Sequence, residues 1–181
     1  TLATCYVFFH KIKNYNKVCL TFYDSKKQTL ADVFIGNQCI AFGDSVALSA
    51  QAPFVFQNHR AKSGIENVRY VLPNQPPLSW GEGRFSGNCF QWRNYYFEWL
   101  NKKSLPQRLV PVSLYIVSTD LWPPKDDLPF KAPVVLDASV KGKRLELWKR
   151  YLGKQHLNYY AVNERGALVI HEPFKLSNYE K

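Results

Sequence analysis

Residues 80–100, Trp-Gly-Glu-Gly-Arg-Phe-Ser-Gly-Asn-Cys-Phe-Gln-Trp-Arg-Asn-Tyr-Tyr-Phe-Glu-Trp-Leu, constrain this chain more than any other stretch. Up to Asn88 the segment is turn-like, with Gly81, Gly83 and Gly87 beside Ser86 and Asn88. From Cys89 it becomes aromatic and periodic. Cys89, Trp92, Tyr96, Trp99 and Leu100 recur at the spacing of one helical face. Ser86 or Asn88 is placed to cap that helix. The spacing therefore predicts an aromatic helix that starts at Cys89 and ends near Lys103, before Pro106.

A cysteine at a helix N-terminus faces unpaired N–H groups and the positive end of the dipole, which favour an anion. A thiolate is such an anion, so the placement lowers the thiol pKa. Papain-like enzymes present their nucleophile in this way. The alternative is a small buried hydrophobe on an aromatic helix. A thiol nucleophile needs a base within reach and a third group to orient it. His156 and His171 follow Cys89 in the chain, on strands expected to pair as a hairpin. Cys89 is thus the expected nucleophile, His156 the preferred base and His171 the reserve, with Glu172 or Asn163 orienting the base. Asn88, Gln91 or the Cys89 N–H would donate to an oxyanion.

With 181 residues, the chain is long enough for one sizeable core or two small lobes, and 15% aromatic content marks a folded protein. The net charge of +10 favours polyanion partners such as RNA. Residues 141–154 concentrate that charge: Lys141, Lys143, Arg144, Lys149, Arg150 and Lys154 stand against Glu146 alone. Of these, Lys141, Lys143, Arg144, Lys149 and Arg150 are the expected nucleic-acid contacts, unless they form only a solvated helix face.

No apolar run approaches the roughly 20 residues needed to span a bilayer, and residues 2–9 are too short for a signal segment. The four cysteines form no Cys-x-x-Cys pair, so no metal site and no cofactor are expected. Free thiols in a reducing compartment are expected. The competing reading is an extracellular β domain stapled through Cys5, Cys19, Cys39 and Cys89. Methionine is absent, so the chain is expected to be a piece of something longer.

Along the chain the fold class reads as α+β. Runs at residues 5–9, 18–23 and 32–35 are expected strands, with residues 24–28 turning between the last two, and further strands at 38–42 and 46–49. Residues 57–66 are polar and unpatterned and read as a linker. This divides the chain into a β-rich N-terminal lobe (1–56), the linker, and a domain at 67–181. In the latter, residues 68–72 form a strand. Residues 108–117 form another, placed at an edge by Pro111. Residues 122–133 form a proline-rich loop. Residues 141–152 form an amphipathic helix stopped by Gly153, with Leu145, Trp148, Tyr151 and Leu152 inward. Residues 156–162 and 167–172 complete a terminal hairpin.

Gly87-Asn88-Cys89-Phe90-Gln91-Trp92-Arg93 resembles the Gly-Asn-Cys-Trp-Trp-Arg segment of the arterivirus non-structural leader proteins of the beta type, which are papain-like cysteine autoproteases. Val68-Arg69-Tyr70, Leu105-Pro106 and Gly142-Lys143-Arg144-Leu145 are similar too, so the resemblance spans roughly residues 65–172. Phe90 stands where that family has tryptophan, and Leu147 where its basic motif has arginine. The resemblance implies a papain-like domain, with the cysteine-bearing helix packed on an antiparallel sheet, behind a small β-rich lobe. It implies a viral protease that cleaves itself from a replicase polyprotein and then antagonises interferon through RNA or host proteins. It also implies residence in the host cytoplasm or nucleus, away from membranes, with a homodimer as a further expectation.

Overall fold

The computed structural model describes residues 18–25, 29–43, 54–65, 67–72, 75–100, 111–118, 121–124, 131–172 and 174. The expected strands at 5–9 and 46–49 lie outside them. The fold is α+β and mostly sheet. Strands β1 (Val18–Phe22), β2 (Leu30–Ile35), β3 (Gln38–Gly43), β4 (Asn67–Val71) and β12 (Leu168–His171) form a five-stranded sheet in the order β12-β1-β2-β3-β4. Strands β5 (Leu78–Trp80), β6 (Gly83–Ser86), β7 (Cys89–Trp92), β8 (Tyr95–Leu100), β9 (Leu114–Val117), β10 (Val134–Leu136) and β11 (Tyr159–Ala161) form a seven-stranded sheet, in reverse order from β11 to β5.

The two sheets bury a shared core. Val18, Leu20 and Phe22 of β1, Ala31 and Val33 of β2, and Ile40 and Phe42 of β3 alternate inward, as a sheet with one face on the core requires. They meet Phe85, Phe90, Trp92, Phe97 and Trp99 from β6, β7 and β8, with Phe42 and Trp99 in ring contact at 3.9 Å. Each outer face carries a helix. Helix α1 (Phe54–Lys62) lies on the five-stranded sheet, where Phe56 packs on Tyr23 and His59 on Phe34. Helix α2 (Lys143–Lys154) buries Leu145, Trp148 and Leu152 among Leu100, Val117, Val134, Leu136 and Ala161 of the seven-stranded sheet. The layers therefore run helix, sheet, sheet, helix.

Cys89 opens a strand, which corrects the helix expected at 89–103. Three two-residue turns account for the change. Trp80 pairs with Gly83, Ser86 with Cys89, and Trp92 with Tyr95. The first residue of each turn, Gly81, Gly87 or Arg93, has positive φ (48°, 61° and 49°). Such turns match the twist of paired strands and return the chain on itself, which a helix cannot accommodate. The aromatic residues then sort by period two, with Phe90 opposite Phe97.

Other expectations also shift. The linker expected at 57–66 is largely helix α1, which connects parallel strands β3 and β4. Because β12 pairs with β1, the sheet draws strands from both sides of that expected boundary. Strand β9 is central, paired parallel to both β8 and β10, and Pro111 precedes it. The terminal hairpin does not form. Strand β11 joins the seven-stranded sheet, and β12 crosses to the other sheet after the short helix α3 (Val162–Arg165) and Gly166 at φ 84°. Helix α2 appears as expected but runs through Gly153.

Candidate nucleic-acid interface

The residues expected to form a catalytic centre lie on different elements. Cys89 lies inside the seven-stranded sheet, opposite Ser86 on one side and Glu98 on the other, and is only 5% exposed. The helix dipole invoked to acidify it is absent, because no helix starts there. His171 ends β12 in the other sheet, opposite Cys19, and is exposed. Glu172, its expected orienting partner, is held at 3.2 Å by Arg93, which also binds Glu82. That clamp ties the β7–β8 turn to the end of β12.

His156 has a different function again. Its N–H bonds to the Gly153 carbonyl at 3.1 Å, and the Leu157 N–H bonds to the Leu152 carbonyl at 3.0 Å. This pair of bonds is a Schellman C-terminus, with His156 in the left-handed residue at φ 53°. His156 therefore closes α2. Among the described residues, Cys19, Cys39 and Cys89 form no disulfide staple with one another. Among those residues no three His, Cys, Asp or Glu side chains gather as a metal-binding group.

Two buried polar clusters were not legible as sites. Asp32, on the outer face of β2, accepts two 2.7 Å bonds from Arg60 of α1 and one of 2.8 Å from the Tyr23 hydroxyl. The Tyr23 oxygen in turn sits 2.8 Å from His59 Nδ1. With the hydroxyl proton directed at Asp32, His59 must carry its own proton on Nδ1. Burial, and then the Asp32 charge, pushes the Tyr23 hydroxyl and the neighbouring Cys39 thiol far up, so both stay neutral. The second cluster lies at the carboxyl end of the parallel strands. Asp137, just after β10, accepts from Thr29 Oγ1 at 2.6 Å, from the Ser139 N–H at 2.8 Å and from the Ser139 hydroxyl. Burial raises its carboxyl to about 6, against those hydrogen bonds. Since Thr29 precedes β2, this cluster joins the two sheets. The first cluster locks a helix to a sheet and the second locks sheet to sheet.

The basic helix face divides in two. Lys149 is committed to Glu164 at 2.8 Å and Glu146 at 3.3 Å, which raise its pKa and tie α2 to α3. Arg144 lies against the Trp122 ring, its guanidinium carbon 4.4 Å from the centroid. Lys141, Lys143 and Arg150 are exposed, and none of them has an ion-pair partner among the described residues. The N-cap, Gly142, adopts φ 56° and makes no side-chain cap bond. Cations thus crowd the positive end of the helix dipole, an arrangement relieved by an anion.

The family model of the ComEC C-terminal domain matches residues 20–172. The chain belongs to the ComEC C-terminal domain family. No curated protein and no solved structure matches it. This ComEC C-terminal domain is therefore not an arterivirus leader protein, and the short Gly-Asn-Cys and Gly-Lys-Arg-Leu likenesses do not carry kinship. The viral autoprotease activity, the polyprotein substrate, the interferon and RNA or host-protein roles, and the host cytoplasmic or nuclear location are all corrected by that match. The family points instead to bacterial competence and DNA uptake. No helix among the described residues is long and apolar enough to cross a membrane.

Proposed function

We propose that this ComEC C-terminal domain serves DNA uptake as a DNA-holding module, with the exposed face of α2 and its approach as the contact surface. The observation that carries the reading is the placement of Lys141, Lys143 and Arg150. They are exposed, not neutralised by neighbouring carboxylates among the described residues, and attached to a helix fixed by a buried face. A net charge of +10 draws a polyanion to the chain over a longer range. Lysine and arginine on such a face bind phosphates without reading sequence, which suits a protein that handles DNA of any origin.

Lys149 and Arg144 contribute differently. Lys149 sets the position of α2 through Glu164, and Arg144 presents its charge from the side of Trp122. The test is binding of a labelled DNA at several salt concentrations, comparing the chain with Lys143→Ala/Arg150→Ala. Losing two phosphate contacts reduces the slope of log affinity against log salt by about 2. An unchanged slope and affinity would exclude this face.

A further inference from the structure

The geometry points to Trp122 as a stacking platform for an unpaired nucleobase, which makes single-stranded DNA the preferred ligand of the cationic face. This inference rests on the DNA-holding reading above and specifies its substrate. Trp122 is 48% exposed, and among the described residues only Tyr70, on β4 in the other sheet, is a comparably exposed large hydrophobic side chain. An indole left half in water at the edge of a basic surface is unusual, since tryptophan is largely buried on average.

Its surroundings fix it in place. The preceding Leu121 is buried, and its carbonyl accepts a 3.0 Å bond from Nε1 of the fully buried Trp148 on α2. Two prolines, Pro123 and Pro124, follow and restrict the backbone. The Arg144 guanidinium covers the ring from one side at 4.4 Å. A ring held this way loses little freedom on binding, and it stays half exposed against Arg144, on the helix that also carries Lys143. Base–aromatic stacking with nearby cations is how single strands are held without sequence readout. A duplex keeps its base faces inside its own stack, so it offers this ring nothing but phosphates.

The test measures fluorescence anisotropy of the chain with a labelled oligo(dT) and with a labelled duplex of equal length, for the unaltered chain, Trp122→Ala and Trp122→Phe. Trp122→Ala is expected to weaken single-strand binding about 5- to 150-fold, the loss of one stacked base. Duplex binding is expected to change less than about twofold, because its phosphate contacts remain, and Trp122→Phe is expected to restore most of the single-strand affinity. Equal loss on both ligands, or no loss on either, would overturn the stacking role while leaving the cationic face intact. Failure of the unaltered chain to bind either ligand would overturn both readings. Trp122→Phe separates a lost ring from a misfolded loop, since it retains the aromatic face.

Discussion

At the residue scale, His156 and Asp137 show how chemistry-bearing side chains come to be used for folding. His156 occupies the left-handed position that ends α2, where a side chain with a Cβ is disfavoured. His156→Gly is expected to stabilise the protein by about 1 kcal/mol, a rise of a few degrees in melting temperature. A fall in that temperature would show that the imidazole makes a contact worth more than the backbone relief. Asp137 predicts a pH dependence. Burial places its folded carboxyl at about 6, above the ordinary 3.8. The folded chain therefore holds this proton more tightly than the unfolded chain. The associated stabilisation is complete below pH about 4 and is lost as pH rises through about 6, on the order of 3 kcal/mol in all. Denaturant unfolding from pH 4 to 7 should show that decline, and Asp137→Asn should flatten it. A slope unaffected by the substitution would place the titration elsewhere.

At the element scale, legibility followed period and turn chemistry. Strands β1 to β4 were readable because β-branched and aromatic residues cluster there between polar turns. Helix α2 was readable because Leu145, Trp148 and Leu152 recur at helical spacing. The stretch 89–100 misled because aromatics alternating on two strands joined by a two-residue turn, as Trp92, Tyr95 and Trp99 are, also fall at intervals of three, four and seven. Gly87-Asn88 and Arg93-Asn94, two residues apart from paired strand ends, were the deciding signals, and Arg93 carries no glycine to announce its positive φ. Helix α1 was hidden because one of its buried anchors, Arg60, is a charged residue whose partner Asp32 lies in a distant strand. That pair yields the element-scale prediction. Arg60→Met leaves the Asp32 carboxylate buried and unpaired and is expected to cost about 3–5 kcal/mol by denaturant unfolding. Adding Asp32→Leu should recover part of the loss. A single substitution costing under about 1 kcal/mol would mean that α1 is held by Phe56 and its neighbours alone.

At the scale of the whole molecule, the α+β class was legible, and the proposed contact surface draws on a cationic stretch that the sequence already displays. Mixed helices and short strands declared an α+β chain, but the assembly of two sheets face to face depends on β12 returning to β1, a long-range pairing that local pattern does not encode. The cationic stretch 141–154 stood out in the sequence. The commitment of Lys149 to Glu164 and of Arg144 to Trp122 did not, because both partners come from segments distant along the chain or on another element. The cysteine and histidines attracted a catalytic reading by residue type, and the fold places them in a sheet interior, a strand end and a helix terminus. Among the described residues, Lys141, Lys143 and Arg150 at the outer face of α2 are exposed cations and form the proposed contact surface. The central claim is tested most directly by DNA binding of the chain against Lys141→Ala/Lys143→Ala/Arg150→Ala, measured by anisotropy across a salt series. The account predicts weaker binding with a salt slope shallower by about 3, one phosphate contact for each cation removed. Unchanged affinity and slope, with the substituted chain still folded, would contradict it.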